Sequence, residues 1–248
     1  MTILIFKIIA MITMSMDHVA TVFCDGQMVM RIIGRIAFLL YAFMIAEGYN
    51  HIKDKPDRLK VHIIKLGVLC IISEFAYDFM ETGKLIDWSS QSVMPVLFLG
   101  FIGLIITDRF AKKPWVIVLY YIASAAINYF AKFNYKFVGV LIIYAFYYYI
   151  KHTDKMSFIK KVAILIPMIT VYFCIYTWAR VNFGGPAAWL ENFMKYYPWL
   201  IGHYAAMIII ASYNGKQGPR NKALNMIYSI YYPLHMVVIG LIAMFLKQ

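Results

Sequence analysis

Apolar residues run along the chain in nine long stretches, at 2–24, 29–49, 61–80, 92–108, 114–131, 136–151, 160–180, 196–214 and 224–246, with Lys, Arg, Asp, Pro and Gly gathered in the short gaps. A helix needs roughly 20 apolar residues to cross about 30 Å of hydrocarbon, and no water is there to satisfy an open strand edge. The pattern therefore predicts an all-α, polytopic integral membrane helical bundle of about nine transmembrane helices. The gaps are too short for a soluble domain, so residues 1–248 are expected to form one transmembrane domain. Lys7 precedes apolar residues as in a signal peptide, but Asp17 and His18 interrupt the run and no small-residue cleavage site follows. It reads as a mature span. The runs at 114–131 and 136–151 are short and joined by the polar turn Lys132 to Lys136, which leaves two crossings or a re-entrant hairpin open.

Composition sharpens this picture. Of 248 residues 62% are apolar and only 15% charged, which excludes an ordinary cytosolic globule. The net charge of +12 would point to nucleic acid in a soluble protein, yet the cations sit between spans. No nucleic-acid partner is expected, and the charge orients the chain instead. Lys53, Lys55, Arg58 and Lys60, then Arg109, Lys112 and Lys113, then Lys151, Lys155, Lys160 and Lys161, then Lys216, Arg220 and Lys222 fall on four alternate connections. The other side holds fewer, at Lys84, Lys132, Lys136, Arg180, Lys195 and Lys247. The positive-inside rule then places the N-terminus in the cytoplasm and the C-terminus outside. Cys24, Cys70 and Cys174 lack metal-ligand spacing, so no metal site is expected.

Ionisable groups at membrane depth are costly and usually face a cavity or a partner. Counting about 1.5 Å per residue, His18, Arg35, Glu74 and His203 come to one depth on four spans, with Asp17 beside His18 and with Arg31 and Asp78 one turn nearer the outside. Arg31 and Arg35 are spaced i, i+4, as are Glu74 and Asp78, which predicts an arginine–acid ladder between the second and third spans. His235 follows Pro233 in the last span, nearer the midplane. At the cytoplasmic end, the segment from Tyr213 to Lys222 combines Gly215 and Gly218 with Lys216, Arg220 and Lys222. Such a loop could offer amides and cations to phosphates, and Lys7 lies at the same end.

The strings Met16-Asp17-His18-Val19, Arg31-Ile32-Ile33-Gly34-Arg35-Ile36-Ala37-Phe38 and Ala46-Glu47-Gly48-Tyr49 resemble the TraX family, polytopic membrane proteins named for the acetylase of conjugative pilin. The likeness continues through Ile72-Ser73-Glu74-Phe75-Ala76-Tyr77-Asp78, Gln91-Ser92-Val93-Met94, Tyr213-Asn214-Gly215-Lys216 and Tyr232-Pro233-Leu234-His235, in order over nearly the whole chain. Ala76, Ser92 and Pro95 depart from that family's pattern, where proline, asparagine and an aromatic residue are usual.

The resemblance implies a transmembrane acyltransferase of the bacterial cytoplasmic membrane. Such a protein moves an acetyl or other short acyl group from cytosolic acyl-CoA to a hydroxyl or amine of an acceptor on the other side, a glycan, lipid, peptide or pilin-like protein. His18 would take the acceptor's proton or carry the acyl group itself, with Asp17 orienting it and Arg35 stabilising the oxyanion. Arg31, Glu74, Asp78, Gln91, His203 and Glu47 are the expected acceptor-binding residues, and Lys7, Asn214, Lys216, Arg220 and His235 those for acetyl-CoA. A transporter or lipid-handling protein for an anionic small molecule is the alternative, since a buried cationic layer can also hold a cargo.

Overall fold

The computed structural model describes residues 1–25, 27–219 and 222–246, with backbone alone at 222–225. Among the described residues the chain forms ten helices and no strand: α1 (Ile3–Phe23), α2 (Met28–Ile52), α3 (Pro56–Thr82), α4 (Met94–Arg109), α5 (Pro114–Phe130), α6 (Val138–Thr153), α7 (Phe158–Arg180), α8 (Pro186–Tyr196), α9 (Trp199–Ala211) and α10 (Lys222–Leu246). Each of the nine apolar runs falls on one helix. The tenth, α8, lies in a connection that the apolar pattern leaves as a loop. Pro186 opens it after Gly184-Gly185, where a missing N–H costs nothing, and Pro198 separates it from α9.

Among the described residues, four helices are long and apolar enough to cross a membrane: Ile3–Phe23, Met28–Ile52, Phe158–Arg180 and Met226–Leu246. With 13 residues, α9 rises only about 20 Å, and α3, though 27 residues long, is interrupted by charges from Asp57 to Glu81.

The helices group into two compact units. The first comprises Met1–Tyr41 with Thr153–Gln248, the second Ala42–His152. In the first unit α1 packs on α10, and α7 packs on α8 and α9. Helix α8 is tied back to α7 by side chains that reach backbone carbonyls: Asn192 Nδ2 donates to Thr177 O at 2.7 Å and Trp189 Nε1 to Cys174 O at 3.2 Å. The start of α1 is pinned to the loop before α10, where Lys216 O accepts from Ile3 N (3.1 Å) and Gln217 O from Leu4 N (3.2 Å). Gly218 has φ +85°, and a Cβ there would stand 3.0 Å from Leu4, so the turn needs glycine for both conformation and space.

In the second unit α3 packs on α4 and α4 on α5. Asp108 accepts from Tyr49 Oη at 3.0 Å and Tyr147 Oη at 2.8 Å, joining the ends of α2, α4 and α6. The loop before α4 is held to the turn after α5, with Gln91 N donating to Lys132 O and Asn134 N to Gln91 O.

Two glycines of the first unit mark where a neighbouring helix comes too close for a side chain: Gly34 faces the Asp17 side chain and Gly202 the Ile32 backbone. A Cβ at Gly34 would lie 2.6 Å from Asp17 Cγ, and one at Gly202 would lie 3.0 Å from the Ile32 carbonyl carbon and 3.1 Å from Arg35 Cβ. Gly202→Ala should therefore lower stability by about 1–3 kcal/mol through overpacking, read as the unfolding midpoint of the detergent-solubilised chain. Gly48→Ala is the control: nothing lies within 4 Å of that position, and a helical Gly→Ala change there should be neutral or stabilising.

Candidate functional site

The deepest charges of the first unit are paired. Asp17 projects from α1 against Gly34, where the missing side chain leaves room for its carboxylate beside α2. Arg35 Nη2 reaches both carboxylate oxygens, at 2.6 and 2.5 Å, and Arg31 Nη1 lies 3.3 Å from Oδ1. Thr21, one turn above Asp17, accepts from Arg31 and donates to Asp17 O at 2.9 Å. The Arg35 side chain is only 5% exposed, so this pair answers the cost of a buried guanidinium.

Two expectations change here. The carboxylate answering Arg31 and Arg35 comes from α1, so the ladder expected from α3 gives way to Asp17. Asp17, in turn, spends both oxygens on guanidinium groups, and the group that orients His18 is another imidazole. His18 Nδ1 stands 2.9 Å from His235 Nε2, and the rings, parallel within 3° at 5.0 Å between centroids, meet edge to edge. His235 Nδ1 is 2.8 Å from Tyr231 O.

Partner chemistry assigns the protons of the neutral pair. A carbonyl can only accept, so His235 Nδ1 carries hydrogen and its Nε2 is a lone pair. His18 Nδ1 then donates to that lone pair, which leaves His18 Nε2 as an acceptor with no partner among the described residues. His235 was expected to contact acetyl-CoA. Both its ring nitrogens are occupied, and it is placed to hold the tautomer of His18 instead. Ser15 Oγ and Tyr231 Oη, 2.6 Å apart, brace the same α1–α10 contact.

His203 obeys the same logic. Its Nδ1 lies 2.7 Å from Trp199 O, so that nitrogen donates and Nε2 is an acceptor. The residue is completely buried among Tyr172 and Phe173, and Nε2 finds no partner. An orphaned buried acceptor costs about 1–3 kcal/mol, which invites a donor from a ligand or water.

The expected acetyl-CoA residues Lys7, Asn214 and Lys216 lie at the other end of α1. Lys7 Nζ sits 5.0 Å over the Tyr228 ring, and Asn214 Oδ1 accepts from Lys216 N at 3.1 Å, closing the turn. Arg220 lies outside the described residues. From Leu4, where the loop docks, to Asp17 is thirteen residues, or about 20 Å of helix.

In the second unit, Glu74, Asp78 and Gln91 line one cavity of 470 Å³ with Trp88, Phe98 and Phe133. Glu74 accepts from Ser92 Oγ (2.6 Å) and Ser92 N (3.1 Å). Asp78 Oδ2 accepts from Asp87 N at 2.8 Å, while its buried Oδ1 has no partner. Gln91 Nε2 donates to Asp87 O at 2.7 Å. At the rim, hydrogen bonds from Ser89 hold the half-buried Asp87 carboxyl below the usual carboxylate range. The cavity offers acceptors in an apolar wall, suited to a ligand with hydroxyl or amine hydrogens.

Glu47 departs from its expected place among the acceptor-binding residues. It lies twelve residues beyond Arg35 on α2, about 18 Å along the axis, and pairs with His51 Nε2 at 3.1 Å.

Residues that the sequence did not single out complete the first site. Trp199 lies under Arg35, its ring 4.4 Å from the guanidinium carbon, and Tyr231 supplies the carbonyl that fixes His235. The i, i+4 spacing of Tyr231 and His235 was a readable signal; no local pattern marks Trp199.

The fold and site define a polytopic α-helical membrane protein with a paired arginine–carboxylate layer and a hydrogen-bonded imidazole pair between helices. The TraX family, described as TraX protein, matches residues 3–243, and the chain belongs to that family. It is similar to the uncharacterized protein RP591 of Rickettsia prowazekii (strain Madrid E), with 32% identity over 127 residues, 50% of this chain and 49% of that protein. The chain thus spans about half the length of that relative. It is also similar to the probable fimbrial assembly protein FimC, serogroup H1, of Dichelobacter nodosus, with 25% identity over 252 residues, 97% of this chain and 95% of that protein. No solved structure matches.

Asp17→Asn leaves Arg35 buried with a weakened partner and should cost about 3–5 kcal/mol, measured by chemical denaturation in mixed micelles. In a double-mutant cycle, adding Arg35→Gln should return part of that loss.

Proposed function

We propose that this protein is a membrane-embedded acyltransferase that takes an acetyl or similarly short acyl group from acyl-CoA and passes it to a hydroxyl or amine of an acceptor, with His18 Nε2 as the general base. The observation that carries this reading is the chain of hydrogen bonds from Tyr231 O through His235 to His18, which leaves one imidazole lone pair oriented and unoccupied. That is the state a general base requires before it takes a proton.

The steps follow from this arrangement. The acceptor O–H or N–H gives its proton to His18 Nε2 as its heavy atom attacks the thioester carbonyl. The tetrahedral oxyanion develops in the field of Arg31 and Arg35. Its collapse breaks the carbon–sulfur bond, and the departing CoA thiolate recovers the proton from the imidazolium. During the transfer His235 Nε2 accepts from His18 Nδ1–H throughout, so positive charge forming on His18 is stabilised without any rearrangement. The cations at Lys7 and Lys216 are suited to the phosphates of a donor entering from the cytoplasmic face of the inner membrane. The name of the Dichelobacter relative supports a place in pilus assembly, with a pilin-like protein as the acceptor.

The test uses the purified full chain with radiolabelled acetyl-CoA, reading thioester hydrolysis and transfer. His18→Ala should retain acetyl-CoA binding and lose turnover by about 10²–10⁴-fold. His235→Ala should lower turnover by less, leave the apparent affinity for acetyl-CoA unchanged and alter the pH profile, because the base survives but its tautomer is no longer fixed. Failure of the wild-type protein to bind acetyl-CoA at any concentration would overturn the reading in favour of a carrier.

A further inference from the structure

One cluster in the first unit is left over once His18, His235 and the Asp17 pair have been explained. Arg180 ends α7, and its guanidinium carbon lies 4.4 Å from the Tyr196 ring, 5.8 Å from that of Tyr176 and 5.7 Å from that of Trp199. Its nitrogens donate to Tyr176 Oη at 3.2 Å and Tyr196 Oη at 3.1 Å. Among the described residues it has no carboxylate partner. Arg31 and Arg35 stand 5.6 and 4.4 Å from the same Trp199 ring, and the carboxylate they share is Asp17. Three guanidinium groups thus surround one indole. That indole is 4% exposed, and its Nε1–H is buried without an acceptor.

Every group left open here is a donor or a positive charge. The orphaned Trp199 N–H and the Arg180 charge that no carboxylate answers come from different helices and call for an acceptor that can be approached from several directions. A planar carboxylate engages one guanidinium fork well, whereas a tetrahedral phosphate has oxygens for several donors at once. Coenzyme A phosphates are not the natural occupants, because the cationic loop suited to them docks at Leu4, about 20 Å of helix from Asp17.

We propose that Arg180, Arg31 and the Trp199 indole N–H form a phosphate-binding site at this end of the first unit, filled by a phospholipid headgroup or by a free phosphate. The site shares Arg31 with the proposed oxyanion field, whereas Arg180 and Trp199 have no part in acyl transfer, and the variants that test the site are made at those two.

The experiment measures thermal unfolding of the full chain in a maltoside detergent, which carries no phosphate, without acetyl-CoA. The probes are inorganic phosphate, short-chain phosphatidic acid and, as the uncharged match, the corresponding diacylglycerol. A ligand that binds only the folded state raises the melting temperature with concentration. Phosphatidic acid should stabilise the wild-type protein and diacylglycerol should not; an equal effect of inorganic phosphate assigns the free ion as a sufficient ligand, and a much weaker one assigns the lipid headgroup. Arg180→Gln should weaken the apparent affinity by about tenfold or more, Trp199→Phe should weaken it while keeping the aromatic body, and Arg180→Lys should fall between Arg180→Gln and wild type. His18→Ala should leave phosphate stabilisation intact, so a loss of acyl transfer and a loss of anion binding are read separately. No stabilisation by either phosphate, or stabilisation that persists undiminished in both Arg180→Gln and Trp199→Phe, would overturn the proposal.

Discussion

A carboxylate and a guanidinium that leave water together must find each other with little slack, and in this chain that requirement falls on Asp17 and Arg35. The effective penalty for burying either ion alone is several kcal/mol, far above the few tenths per residue that helix propensity can contribute. The pair therefore fixes how α1 meets α2. It can do so because Gly34 leaves the space that the Asp17 side chain occupies, and Gly202 lets α9 approach the same stretch of α2 from another side. Two glycines and one ion pair thus set three helices of the first unit, with His18 on the residue next to the paired carboxylate.

Adjacent helical residues point about 100° apart, so the orientation of Asp17 toward α2 turns His18 away from it. On that other face stands α10, where His235 waits. The ion pair and the imidazole pair are in this sense one constraint seen on two faces of α1. Asp17 does not serve both, because its carboxylate is turned toward the two arginines of α2 while the His18 ring meets α10. The consequence for chemistry is that His18 is oriented by a neutral group. A carboxylate partner would favour the imidazolium, whereas a neutral imidazole partner leaves His18 with a free lone pair and a fixed tautomer.

Much of this was legible along the chain. Apolar runs identified nine of the ten helices, since period and length survive without tertiary information, and the polar residues inside those runs were marked by their cost at depth. His18, Asp17, Arg31 and Arg35 belonged to that set. What stayed hidden depended on direction. Both Asp17 and α3 offered carboxylates at suitable depth for the arginines, and only the packing of α1 at Gly34 selects Asp17. The role of His235 could not be read because it rests on a hydrogen bond across 217 residues. Glu47 was grouped with the acceptor-binding residues although its position on α2 already set it far from Arg35. Arg180 passed as an ordinary cation at a span's end, and the aromatic faces around it come from α7, the end of α8 and the start of α9. The short helix α8 was missed because its apolar residues do not form a run.

The distribution of charge at this end of the first unit follows a gradient of burial. Arg35 is nearly inaccessible and takes both oxygens of Asp17; Arg31 is partly exposed and takes one contact with the same carboxylate; Arg180 is exposed and has phenol oxygens and aromatic rings instead of an acid. A cation–π contact contributes about 0.5–2 kcal/mol, enough to position a guanidinium but not to neutralise it. Placing Asp17 at the deepest arginine satisfies the group that water cannot reach and leaves positive charge where an outside anion can. Had Asp17 been nearer the rim, Arg35 would be buried unpaired and the outer arginines would be neutralised, which is worse for stability and closes the site. The arrangement observed is the one in which a fold that must pair its buried charge still retains a cationic end.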